Sequence, residues 1–241
     1  MCLNREHMQN IEAREPITID TSVPLFRLLQ LSSSTLPVGG YSYSSGLESA
    51  VEKGWINSSS HLKEWLSVQM TDSLSLMELP IILLQMNTIN SNGDDHNLRF
   101  WNQYVLASRE TKELRLTEDE MGRAISRLLD RLEMDTPLKT LEEPTFITGF
   151  AIAAATWRIQ ATLAASGYLW SWLENQIMAA IKTMRLGQSE AQELLGELLQ
   201  MAPACIEKST LQGEDKIGSS LPGLAMASAH HETQYSRIFR S

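Results

Sequence analysis

The sequence predicts an all-α protein, a single-domain bundle of roughly ten helices around an apolar central helix pair. Three observations carry that expectation. Apolar residues recur at steps of three and four in repeated stretches, alternation with a period of two is nowhere sustained, and the segment Pro144–Leu186 is apolar on nearly every side. A helix without a polar face belongs in the middle of a bundle.

Taken in order, a first helix through Phe26–Leu31 must end before Pro37, which fixes its own φ and disfavours helical backbone at Leu36. Gly39 and Gly40 allow a tight reversal, Ser44 or Ser45 can cap a helix carrying Leu47, Ala50 and Val51, and Gly54 ends it. Leu62, Trp65, Leu66, Met70, Leu74 and Met77 form the next stripe, after the cap candidates Ser58–Ser60. Leu98, Trp101 and Val105 follow Asp94 and Asp95. Then come Met121, Ala124, Ile125, Leu128, Leu129 and Leu132, with Thr117 as cap and Glu118–Glu120 placed to favour a helix start. The segment 144–186 reads as two helices broken near Gly167, and its Trp157, Trp170 and Trp172 read as core. A last stripe runs from Ala191 to Ala202. Breaks fall at Asn90–Asp95, Asp135–Pro144 and Gly187–Ser189, and the strand candidate Ile17–Ile19 is too short to found a sheet.

The ends read differently. Residues 1–22 have little apolar content and are expected to form a mobile extension, residues 23–212 the helical domain, and 213–241 a Gly/Ser-containing linker and docking tail. The tail closes in Tyr235, Arg237, Phe239 and Arg240, residue types common at binding hot spots.

Composition narrows the function. Of 241 residues 43% are hydrophobic and 20% charged, a globular balance, and the net charge of −9 leaves no basic surplus for nucleic acid. Cys2 and Cys205 are too few for a disulfide framework or a CxxC metal site. The N-terminal stretch lacks the apolar segment of a signal peptide, and no uninterrupted apolar run reaches the ~18 residues of a membrane span. A cytoplasmic protein is expected.

Chemical motifs are sparse. Gly40–Ser44 lacks the closing glycine and preceding strand of a nucleophile elbow, and Ser60-His-Leu-Lys63 is better explained by a capping serine. Lys208-Ser-Thr210 has no upstream P-loop glycines, and neighbouring His230 and His231 point about 100° apart on a helix, so they seldom share a metal. The stretch Ser108–Arg115 reads as a solvated charged connection. The Pro37–Tyr43 loop is rigid and holds Tyr41 and Tyr43 in fixed directions, which suits recognition better than proton transfer. An orphan all-α enzyme using Ser42, Ser44 and Glu48 is the second reading the residues leave open.

Ordered blocks then identify a family. They are Leu36-Pro-Val-Gly-Gly-Tyr-Ser-Tyr-Ser-Ser-Gly-Leu-Glu48, Ala107-Ser-Arg-Glu-Thr111 with Glu113-Leu-Arg115, Met121-Gly-Arg123, Ser171–Gln176, Ala179–Lys182, Leu186-Gly-Gln188 and His231–Arg240. In this order they resemble the urease accessory family UreF, over most of the chain from Leu25 onward. The resemblance implies a non-catalytic protein with no cofactor and no resident metal. It implies a homodimer that joins UreD (UreH in some organisms) and the GTPase UreG on apo-urease, where GTP hydrolysis drives nickel insertion and the metal is only in transit. It also turns Pro37, Gly39, Gly40, Tyr41, Ser42, Glu48, Arg109 and Glu110, with His231, Glu232, Gln234, Tyr235, Arg237, Phe239 and Arg240, into expected partner contacts. Arg109, Lys112 and Arg115 are candidates to lend charge in trans to the GTPase.

Overall fold

In chain order the helices are α1 (Val23–Leu31), α2 (Leu47–Glu52), α3 (Ser59–Gln69), α4 (Glu78–Asn90), α5 (Asp95–Ala107), α6 (Lys112–Arg131), α7 (Phe146–Thr156), α8 (Ala161–Met184), α9 (Gln188–Leu199), α10 (Ala202–Thr210) and α11 (Pro222–Glu232). The computed structural model describes residues 23–91 and 93–241, and among these there is no β-strand. The expected extension 1–22 and the Ile17–Ile19 candidate lie outside them.

The centre is α7, where every residue from Phe146 to Ala155 is buried. It packs against α4 and α6, while α8 runs across α4 and α2. The starts follow local chemistry. Ser58, Asp94, Thr111 and Thr145 each accept a backbone N–H of their own helix's first turn, from His61, His96, Leu114 and Thr148. Each such cap is worth about 1 kcal/mol.

Four expectations are corrected. The helix pair in 144–186 is not broken near Gly167, because α8 is continuous and the chain turns instead at Trp157–Gln160. Gly167 is a close approach: a Cβ there would lie 2.5 Å from Leu28 Cδ1 and from Ser32 Oγ. The stripe Leu62–Met77 is not one helix, since a π turn at Met70–Leu74 separates α3 from α4, with the Ser75 hydroxyl donating to the Met70 carbonyl at 2.6 Å. The solvated connection 108–115 shrinks to a few residues, because Thr111 already caps α6 and the Thr117 hydroxyl donates to Glu113 O inside it. Trp170 is not core; it is exposed on α8, as are Leu163 and Met178.

Residues 213–221 lie along the bundle. The Gly218 N–H donates to Leu76 O at 3.0 Å, and the Tyr104 hydroxyl donates to Ile217 O at 2.6 Å. From there α11 packs on α2 and α6 and delivers the final segment back onto the 42–48 loop.

Candidate functional site

The loop after Pro37 is shaped by two left-handed glycines, Gly39 (φ 77°) and Gly46 (φ 82°). Gly40 does not share that conformation; its restriction is space, with Asn175 Nδ2 3.0 Å from where a Cβ would stand. Gly46 precedes α2, and of the two cap candidates it is Ser44 whose Oγ accepts a first-turn N–H, that of Glu48 at 3.4 Å. The Ser44 N–H and hydroxyl also both donate to the Ser241 carbonyl, at 2.5 and 2.7 Å. Ser42 O accepts the Arg240 N–H at 2.8 Å.

One turn further, Glu48 is buried in the first turn of α2 and acts as the receptor for the tail. Its Oε1 accepts the Ile238 N–H at 2.7 Å and its Oε2 the Phe239 N–H at 2.9 Å. The same Oε2 lies 3.2 Å from His231 Nε2, while His231 Nδ1 lies 2.8 Å from Glu113 Oε2. His231 is fully buried, with each ring nitrogen within hydrogen-bond distance of a different carboxylate. Arg237 donates to the other Glu113 oxygen at 2.8 Å. His231 and Arg237 thus face Glu48 and Glu113; the imidazole and both carboxylates are buried, so removing one of these three leaves buried polar atoms without a partner.

The opposite wall is α6. Glu113, Thr117 and Glu120 follow one another at i, i+4 and i+7 and therefore share a face. The Thr117 and Ser241 hydroxyls are 2.9 Å apart, Arg240 reaches Glu120 at 3.4 Å, and Tyr43 donates its phenol hydrogen to Glu120. Burial, and then the adjacent Glu120, pushes the Tyr43 phenol up to about 12, so it stays a neutral donor. Phe239 is the buried apolar anchor, with the Lys182 ammonium 5.3 Å above its ring.

Arg109 belongs to a separate, internal cluster. Its guanidinium binds Glu78 at 2.7 Å and Glu118 at 2.8 Å, and Glu118 also accepts the Ile147 N–H at the start of α7. Burial lowers the guanidinium's affinity for its proton, but Glu118 and Glu78 outweigh that and raise it. Tyr168 beside them is pushed well above the ordinary phenol range by burial and then by the same two glutamates. The reading of Arg109 as a solvated charge available in trans is therefore corrected: both arms of its fork are held by buried carboxylates.

The structure brings Ser42, Glu48, His231, Arg237, Phe239 and Arg240 together, with Glu232 Oε1 accepting the Glu113 N–H at 3.3 Å nearby. Pro37, Tyr41, Glu110 and Tyr235 are exposed, and Tyr235 is fully so. Gln234 turns its amide onto Ser236 O. Sequence reasoning missed Glu113, Thr117, Glu120 and Lys182 as parts of the site, and Tyr43, expected as a recognition residue, is buried against Glu120. The i, i+4, i+7 row on α6 was the signal for three of them. Of the enzyme candidates Ser42, Ser44 and Glu48, the last two are occupied by tail backbone, which leaves no free carboxylate there for either hydroxyl to pair with. Among the described residues no group of three or more His, Cys, Asp or Glu is placed to hold a metal ion, and no helix is long and apolar enough to cross a membrane.

Fold and site together define an all-helical protein whose polar chemistry is spent on joining its own segments. The family model UreF matches residues 56–199. Proteins named urease accessory protein UreF are 48% identical over 223 residues in a Marinomonas species, covering 92% of this chain and 96% of that one. In Psychrobacter cryohalolentis the identity is 41% over 233 residues, with 94% and 98% covered, and in an Azoarcus species 43% over 226, with 91% and 96%. The chain belongs to the UreF family of urease accessory proteins, and its role is accessory and not enzymatic.

Proposed function

We propose that this protein is the helical scaffold of cytoplasmic urease maturation, joining UreD (or UreH) and the GTPase UreG on apo-urease while nickel passes through the assembly as cargo. The observation that supports this is the pairing of loop and tail. Backbone bonds from Arg240 to Ser42 and from Ser44 to Ser241 fix the tail beside the loop, and Tyr41, Tyr235 and Ile238 remain turned to solvent. Exposed tyrosines on a rigid support are good contact groups, because little side-chain freedom is lost when they are covered. Residues 213–241 act in this reading as a docking module that is already seated.

The homodimer is assigned to another face. α1 carries Val23, Phe26 and Leu29 exposed in one row at steps of three, and Leu163 and Trp170 are exposed on α8. Such a face is a reason to associate.

The test is co-purification of tagged protein with cognate UreD and UreG, with urease activity read in nickel-supplemented cells. Tyr41→Ala with Tyr235→Ala should lower both capture and activation in a chain whose melting temperature is unchanged. Full capture and full activation by that variant would overturn the loop–tail assignment.

A further inference from the structure

We propose that the corner formed by Ser44, Glu48, Glu113, Thr117 and Lys182 is an exchangeable peptide-binding site, and that residues 236–241 are its resident ligand in cis. The ligand class is an extended peptide with arginine, one spacer residue, an aromatic residue and a second arginine. This does not depend on the maturation role proposed above.

The segment is not a helix turn or a ladder strand. It is bound as a peptide is bound, through its backbone and through side chains, chiefly those of Arg237 and Phe239 with Arg240 and Ser241 adding a contact each. One buried carboxylate takes the consecutive N–H groups of Ile238 and Phe239, the role a backbone nest or a strand edge plays in other peptide sites. Ser44 captures the carbonyl of Ser241 with two donors. Glu113 reads Arg237, and Phe239 fills an apolar position under Lys182. Specificity is thus supplied at two positions two residues apart.

The receptor groups belong to the body of the fold. Glu48 sits in α2, Glu113 and Thr117 in α6 and Lys182 in α8, each anchored by its own helix. Glu48 and Glu113 also keep His231 of α11 as a partner when the segment leaves. The ligand, by contrast, has one buried apolar side chain: Tyr235, Ser236, Ile238 and Arg240 face solvent. The seat can therefore stand without its occupant, which makes the contact a binding equilibrium in one chain.

The probe is a fluorescein-labelled synthetic peptide of residues 233–241, followed by anisotropy with the full-length protein. Arg237→Ala with Phe239→Ala weakens the resident segment and leaves the seat unchanged. That variant should bind one labelled peptide per chain, saturably. Wild type should bind it at least ~10-fold more weakly, because its own tail competes at an effective concentration of order millimolar. A peptide N-methylated at Phe239 loses the donor to Glu48 without altering the protein, and should bind the variant at least ~10-fold more weakly than the unmodified peptide. Absence of saturable binding to a variant with wild-type circular dichroism would overturn the proposal. So would equal binding by wild type, or indifference to the N-methyl group.

Discussion

Arg109→Ala tests whether the buried cluster is a structural keystone. The substitution removes the only cation that pairs with Glu78 and Glu118 among the described residues, where their side chains are 8% and 9% exposed. Breaking a buried ion pair from one side costs about 3–5 kcal/mol, because the remaining charge stays desolvated. In a chain of this length each 1 kcal/mol moves the melting temperature by roughly 2–4 °C, so a fall of roughly 6–20 °C is expected. Urea denaturation followed by circular dichroism reads it, with an unchanged slope expected if the denatured state is unaffected. The companion variant is Glu78→Gln, Arg109→Met and Glu118→Gln together. It removes all three charges and keeps an acceptor for the Ile147 N–H, and should recover to within about 1–2 kcal/mol of wild type, since buried triads exchange for neutral groups at little cost. A loss below about 1 kcal/mol in Arg109→Ala would refute the reasoning. A triple variant as unstable as the single one would show that packing, not charge compensation, holds this corner. If the triple variant is stable and still fails to activate urease, the arginine has a role toward a partner after all.

Gly122→Ala and Gly196→Ala should differ in sign: a Cβ on Gly122 would stand 1.8 Å from Pro144 O, whereas Gly196 has open space around it. Urea titration should show a loss of about 1–3 kcal/mol or more for the first and a gain of about 0.5–1 for the second. Gly39→Val should destabilise more than Gly39→Asn, because only Gly39 of the loop's glycine pair has φ 77°, and thermal melts of the two would reveal it. Ser42→Ala should leave both melting temperature and urease activation close to wild type, since it is the Ser42 backbone that holds Arg240. Glu48→Gln should speed trypsin cleavage after Arg237 by at least ~10-fold through loss of about 1.5–3 kcal/mol of charge-assisted bonding. An unchanged cleavage rate would mean that the bonds from Glu48 do not seat the tail.

Much of the architecture was legible because helix periodicity is a local property. The stripes of α6 and α9 and the all-round apolarity of α7 each announce a helix without reference to anything distant. What was misread depended on neighbours. Gly167 looks like a break until Leu28 and Ser32 are seen to need its missing Cβ. Arg109 looks solvated until α4 and α6 converge on it with a carboxylate each. The loop and tail both stood out from their residue types, but nothing local says that they meet, or that Glu48 would spend its charge on backbone N–H groups 190 and 191 positions away. Family resemblance supplied the blocks in order without their pairing in space.

That separation governs the order in which the molecule can assemble. Ser44 and Ser241 are 197 residues apart, so their contact closes one of the longest loops the chain offers. The entropy of such a closure is affordable only after α4, α6, α7 and α8 have shortened the path between them. In a refolding experiment the bulk of the helical signal should therefore precede protection of the Ile238 and Phe239 amides. During that interval Glu48 faces water, and the α2 corner passes through a stage in which its acceptor is formed but still vacant.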